Sequence, residues 1–366
     1  MNPASISDTT IKVIIGCDCD QDREDYGGTR YDSRDRPLIW DGLRTTLHET
    51  QTITERILRD TGITVRFTLN IRVDEQVEAS HGEPAWVIRT LRETLRNAEQ
   101  NGHEIAWHPH LWRWSDTAES WIQEQDDHDW IWDRLHTWHK AFVDTWGEAP
   151  RSVHGGWMFQ NNTSMQALDD VGIAVEYSAL PGMAIPGRPT RDGSLYCGAC
   201  DWSTSPRHEY YPSRQDYRIG PRRPDDSTAL GLLEIPTFTF CSSLIHILSA
   251  LSNVTRLRGR RRWHSIFEEA AGHVFVNAVS SPFFFRRSFL AFLREYTAFP
   301  IFVAYFHADE LLPERCTSYR RHLYNGQNLA TNIRFMIDTA RQAGISLEFI
   351  RAQDAVTCMQ TDRPSV

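Results

Sequence analysis

A chain of 366 residues, 40% hydrophobic and 24% charged, can bury a sizeable core and has the make-up of a globular protein rather than a disordered or fibrous one. Its net charge of −9 argues against general nucleic-acid binding, which depends on neutralising phosphates. No apolar run reaches the roughly 18 residues of a membrane span. The first eight residues show neither a basic nor an apolar signal region, and seven cysteines are an odd set, so a reducing cytoplasm is the expected compartment.

The first element is the apolar β-branched run Val13-Ile14-Ile15, which ends in acid at Asp18-Cys19-Asp20-Gln21-Asp22. Alternation along a strand sends Asp18 and Asp20 to one face and Cys17 and Cys19 to the other. A helix is predicted over Asp41–Asp60 with Gly62 just past its end, then a strand over Ile63–Leu69. Pro84 opens a second helix that Gly102 closes. His103–His108 is a strand, followed by a Trp-rich connection and a helix from Ser120 to Trp146. Ser152-Val153 is a short strand, Asn162 or Thr163 caps a helix through Val171, and Ile173–Tyr177 is the next strand. The segment 181–226, rich in Pro, Gly, Arg and Tyr, is long enough to be a functional loop or lid. Leu232–Thr237 and Ile301–Phe306 are strands, Asn328–Ala343 is a helix ending at Gly344, and Ile345–Ile350 is the last strand. This alternation predicts one α/β domain over residues 1–366. Its parallel sheet closes or nearly closes into a barrel of seven to eight strands, with the site at the strand ends.

Three strand ends carry candidate chemistry. Two carboxylates side by side at Asp18 and Asp20 repel unless a cation sits between them, so either a metal ion or an acidic, solvated turn is implied. Trp107-His108-Pro109-His110-Leu111-Trp112 sets two imidazoles at a spacing of two, which suits a first-row divalent ion or a surface pair. Tyr305-Phe306-His307 ends another apolar strand, where His307 is either a proton donor or a hydrogen-bonded structural histidine. Cys197-Gly-Ala-Cys200 is a lone C-x-x-C, read as two ordinary thiols more readily than as a zinc or redox pair. The basic run 256–262 reads as a solvated face or a phosphate grip.

In this order the motifs resemble those of the polysaccharide deacetylase family, the NodB-homology carbohydrate esterases, over roughly residues 11 to 350. Asp18-Cys-Asp20 comes first, then Asn101-Gly-His-Glu-Ile-Ala-Trp-His108, similar to the family's G-H-E-I-x-x-H. Ser152-Val-His-Gly-Gly-Trp157 and Gly172-Ile-Ala-Val-Glu-Tyr-Ser178 follow, then Leu232-Leu-Glu-Ile-Pro236 and finally Tyr305-Phe-His307. The resemblance implies a distorted (β/α) barrel that holds one divalent metal ion, zinc by preference, with Ni, Co, Mn or Fe as alternatives. Carried over, Asp18 is the general base, Asp20 and His108 bind metal, and His307 is the general acid.

Three departures stand out. Cys19 separates aspartates that are adjacent in the family. Trp112 occupies the place of the second metal histidine, so His110 is taken as the substitute ligand. The arginine that orients the base is displaced to Arg151, with His154 beside the expected slot. Trp107, Trp112, Trp157, His154, Trp202 and Tyr210 are candidates for substrate contact, since aromatic rings suit sugars, although core packing is the more common role for any one of the tryptophans beside the motifs. The implied activity is removal of an N-acetyl or similar N-acyl group from an amino sugar or a small glycosylated intermediate. The alternatives are hydrolysis of a non-sugar linear or cyclic amide, or a binding barrel without catalysis. The expected partner is a small-molecule or oligosaccharide substrate, with no nucleic acid and no membrane.

Overall fold

The computed structural model describes residues 10–22, 34, 37–189, 196–222, 228–241, 273–295, 300–313 and 325–361. Its centre is β1 (Thr10–Cys19), followed by α1 (Asp41–Thr61), β2 (Thr68–Ile71), three short helices α2 (Glu75–His81), α3 (Trp86–Thr90) and α4 (Arg92–Gln100), and β3 (Glu104–Trp107). Next come β4 (Trp112–Ser115), β5 (Ser120–Gln123), α5 (His128–Trp146), β6 (Ser152–Val153), α6 (Asn162–Asp170) and β7 (Val175–Glu176). The second half runs β8 (Ala184–Pro189), β9 (Tyr196–Asp201), β10 (Leu233–Glu234), β11 (Thr239–Cys241), β12 (His273–Phe275) and α7 (Pro282–Glu295). It closes with β13 (Ile301–His307), α8 (Asn328–Gln342), β14 (Ser346–Phe349) and α9 (Ala355–Thr361).

The main sheet is parallel throughout, in the order β10-β7-β6-β3-β2-β1-β13, with β14 also on β1. β14 pairs with Thr10–Val13 and β2 with Gly16–Cys19, while β13 runs beside β1 from Lys12 to Asp18. The sheet curls hard enough for distant strands to meet inside it. The Tyr177 hydroxyl, just past β7, donates to Asn70 on β2, and the ring of His154, just past β6, lies 5.2 Å from that of Tyr305 on β13. A Cβ on Gly16 would come within 3.1 Å of the Tyr177 hydroxyl and 3.2 Å of Asn70 Nδ2, so only glycine leaves the interior room there. The fold is a distorted, incompletely closed (β/α) barrel.

Alternation along β1 divides its side chains. Val13, Ile15, Cys17 and Cys19 join the main core with Leu43, Leu47 and Phe67, whereas Ile14 packs inside with Val175, Leu233 and Val303. Asp18 and Asp20 continue the inner row. α1 ends on Gly62 in the left-handed conformation (φ 73°), where glycine costs least.

Several predicted boundaries shift. The helix predicted from Pro84 to Gly102 is two short helices, and α2 stands before it, capped by Asp74. The helix predicted from Ser120 begins only at His128, because Ser120–Gln123 pairs antiparallel with Trp112–Ser115 in a hairpin. The Asn161 side chain, not that of Asn162 or Thr163, caps α6. Residues 181–226, expected to be irregular, contain the β8–β9 hairpin. The basic run 256–262 lies outside the described residues. No helix among the described residues is long and apolar enough to cross a membrane.

Candidate metal centre

Asp20, His108 and His110 converge at the carboxyl ends of β1 and β3. Asp20 Oδ1 lies 3.1 Å from His110 Nε2 and 3.8 Å from His108 Nε2, and the two Nε2 atoms are 3.1 Å apart. All three residues are buried, and although His110 Nε2 is within ionic reach of Asp20 Oδ1, no donor among the described residues meets that oxygen in hydrogen-bond geometry. A buried carboxylate oxygen left unpaired is costly, so its setting calls for a cation. One carboxylate and two imidazoles are the donor set of a first-row divalent ion, whose contacts of about 2.0–2.2 Å would place such donors roughly 3–4 Å apart. The residues present therefore fit a metal.

Each ligand side chain is held from behind. His108 Nδ1 donates to the His154 carbonyl at 2.5 Å, leaving Nε2 aimed into the site. The Trp112 indole N–H, which can only donate, meets His110 Nδ1 at 2.6 Å. A neutral His110 therefore carries its proton on Nε2, and a cation there has to displace it. The backbone of Gly156 passes so close that a Cβ would lie 2.3 Å from the His110 ring. The chain then takes left-handed conformations at Trp157 (φ 58°) and Met158 (φ 56°), rare for side chains of this size and a local store of strain.

Asp18 sits beside this group. Its Oδ1 accepts from His154 Nδ1 (2.7 Å) and Asn70 Nδ2 (3.0 Å), while Oδ2 faces His307 Nε2 at 3.9 Å. One oxygen is thus tied down, and the other opens toward a histidine whose side chain keeps 22% of its surface exposed. Behind His307, Glu310 Oε2 lies 3.8 Å from Nδ1 and accepts the His307 backbone N–H at 2.8 Å. Burial opposes ionisation of both aspartates, but His154 and His108 hold Asp18, and His110 and His108 hold Asp20, well below the usual carboxylate range. Burial pulls His108 down, yet Asp18 and Asp20 outweigh it and raise it to about 9. Burial, with Arg72 next, pushes His110 down to about 4.

The other sequence candidates are distributed unevenly. Arg151, expected to orient the base, is exposed at the amino end of β6, the end away from the site, and His154 stands against Asp18 instead. Trp107 is fully buried with its N–H on the Val73 carbonyl, and Trp202 is fully buried with its N–H on the Met158 carbonyl. Tyr210 is fully buried and bonded to the Tyr217 carbonyl. These three are packing residues, because no face is left for a ligand. Trp112 is buried behind His110, while Trp157 is half-buried, edge-on to Trp112. Cys200 is a buried free thiol pushed up to about 12 by burial, and the Cys197 side chain lies outside those described. Asn70, Arg72, Asp74, Tyr177 and Glu310 were not singled out by sequence. The available signal was the polar alternation Asn70-Ile71-Arg72 at the end of β2, which matches Asp18-Cys19-Asp20 at the end of β1.

No family model and no curated protein matches the chain. Among solved structures, it is similar to a probable polysaccharide deacetylase from Pseudomonas aeruginosa PAO1, at 13% identity and TM-score 0.48, covering 100% of this chain and 95% of that one. It is also similar to PuuE allantoinase, at 11% identity and TM-score 0.48 with the same coverage. A third is a GH57-type branching enzyme from Pyrococcus horikoshii, at 9% identity and TM-score 0.44, covering 98% of this chain and 71% of that one. Likenesses this distant do not say what the site does.

Proposed function

We propose that the chain is a divergent member of the polysaccharide deacetylase family and a metal-dependent amidohydrolase. The observation that carries this is Asp20 Oδ1, without a hydrogen-bond partner among the described residues and facing two histidine nitrogens, beside an aspartate whose Oδ2 lies 3.9 Å from the partly exposed His307. Asp20, His108 and His110 would hold one divalent ion, zinc by preference. Such an ion supplies a Lewis acid that polarises the acyl oxygen and acidifies a water. Asp18 Oδ2 takes the proton of the attacking water, its other oxygen being held by His154 and Asn70. His307 Nε2 returns a proton to the departing nitrogen. His154 does for Asp18 what Arg151 was expected to do.

The substrate we propose is an N-acylated amino sugar or small glycosylated intermediate, losing acetate or a similar acid. A second reading, hydrolysis of a small non-sugar linear or cyclic amide, is favoured by the burial of Trp107, Trp202 and Tyr210, which removes three stacking platforms a sugar would use. The test is metal content together with acetate release and ring opening over a substrate panel. Wild type should carry about one metal per chain. Asp18→Asn should keep it while turnover falls about 10²–10⁴-fold, and Asp20→Ala should lose both. Full metal occupancy in Asp20→Ala would overturn the ligand assignment, and a wild type that takes up no added zinc would favour a binding barrel.

A further inference from the structure

Arg72 leaves the end of β2 with its guanidinium fully buried between two carboxylates. Asp74 takes it in a fork, Nε to Oδ2 at 2.6 Å and Nη2 to Oδ1 at 3.3 Å. The amide oxygens of Gln21 and Gln76 accept from Nη1 and Nη2. Asp20 Oδ1 lies 3.5 Å from Nη1, within ionic reach, yet accepts no hydrogen bond. A buried guanidinium has to be paired, and planar bidentate pairing with a carboxylate is its strongest option. Here it has two carboxylates to choose from.

Asp74 is itself pinned independently of Arg72. Its Oδ1 accepts from the Gln76 and Val77 N–H groups at the start of α2, at 3.0 and 3.2 Å, and its Oδ2 accepts from the His110 backbone N–H at 3.3 Å. We propose that Asp74 is a positioning residue of the metal centre. It draws Arg72 away from Asp20, leaving Asp20 Oδ1 open to a cation, and the same carboxylate steadies the backbone that carries His110. This rests on the metal reading given above. It makes Arg72 a competitor for the ligand carboxylate, with Asp74 as its charged restraint beside the neutral amide oxygens of Gln21 and Gln76. Removing the restraint should therefore damage the site more than removing competitor and restraint together.

The test is a titration of metal-free protein with Co²⁺, followed by visible absorption, on wild type, Asp20→Ala, Asp74→Asn, Arg72→Met and the double variant Arg72→Met/Asp74→Asn. Circular dichroism and thermal melts establish that each is folded. Asp74→Asn should bind Co²⁺ about 10–100-fold more weakly, the range seen when supports of metal ligands are lost. Arg72→Met should bind no more weakly than wild type, and the double variant should recover to within about threefold of Arg72→Met. A purely structural role for Asp74 gives no such rescue. Wild-type affinity in Asp74→Asn, or a double variant as weak as Asp74→Asn alone, overturns the inference. Should Asp74→Asn fail to fold, Arg72→Met carries the test, and weaker binding there overturns it. If wild type and Asp20→Ala behave alike, the metal reading itself fails; if they differ while Asp74→Asn matches wild type, only the role of Asp74 does.

Discussion

The buried pair Asp18 and Asp20 and the buried pair Glu176 and Glu234 are treated in opposite ways. Asp18 and Asp20 lie two apart at the carboxyl end of β1, ringed by His108, His110, His154 and Arg72. Glu176 and Glu234 lie side by side on β7 and β10, in paired register and both fully buried. The donors to Glu176 are neutral: the Ser178 hydroxyl, the Ser178 backbone N–H and the Gln160 amide. Glu234 Oε1 accepts the Ala179 N–H at 3.0 Å, and its Oε2 has no partner among the described residues. Burial first, and the charge of Glu176 next, raise Glu234 well above the usual range, whereas the histidines outweigh burial and hold the two aspartates below it. Burial alone therefore does not mark a reactive carboxylate. What separates the two pairs is whether neighbouring strands deliver imidazole and guanidinium or serine and amide.

The contrast breaks most visibly at His108. Replacing it by Leu leaves two buried carboxylates short of a charged partner, and metal-free protein should lose about 3–5 kcal/mol in urea denaturation at neutral pH. The folded pKa of about 9 lies above the ordinary histidine value of 6.5, so the stability supplied by His108 is complete below about 6.5 and is lost as pH rises through about 9. The difference between variant and wild type should shrink accordingly, and a deficit unchanged at pH 10 would refute a charge origin. His154→Gln is a milder probe. It removes a hydrogen bond to a charged group, worth about 1.5–3 kcal/mol, and leaves Asp18 Oδ1 held by Asn70. Turnover should fall while metal content stays at wild type, as metal analysis and single-turnover kinetics would reveal.

Period-two alternation was enough to place Asp18 with Asp20 on one face, because strand geometry is local; His108 and His110 meet in irregular chain past the end of β3, where that rule does not operate. The parallel sheet was legible for the same reason, through apolar runs separated by helical stretches. What surrounds the acids was not legible, since it arrives from strands far away in sequence. Asn70 and Arg72 look like polar residues closing a strand, and only the register of β2 on β1 sets them beside Asp18 and Asp20. Arg151 was misplaced because spacing from a motif says nothing about which end of a two-residue strand a side chain occupies. Trp107, Trp202 and Tyr210 could not be told from ligand platforms, since a buried indole and a stacking indole have the same composition. The Trp112–Gln123 hairpin was missed because Ser120–Gln123 is short and runs straight into a long helical pattern.

The smallest effect is the most discriminating, because it should be a gain. Glu234→Gln keeps an acceptor for the Ala179 N–H and supplies an amide N–H that can donate to Glu176, with no proton to lose. In wild type the folded pKa of Glu234 is raised above its unfolded value, so its contribution is fully present below about 4.5 and is lost as pH rises through the folded value. The variant should therefore melt close to wild type near pH 4.5 and above it at pH 8–9, with the gap widening as pH rises. The corresponding change at the other pair, Asp18→Asn, should show no such widening, because Asp18 is lowered rather than raised and an amide there forfeits the attraction of His154 and His108. Thermal melts of the two variants across that range compare the pairs directly. A Glu234→Gln protein that is less stable than wild type at pH 9 would refute a raised pKa at Glu234.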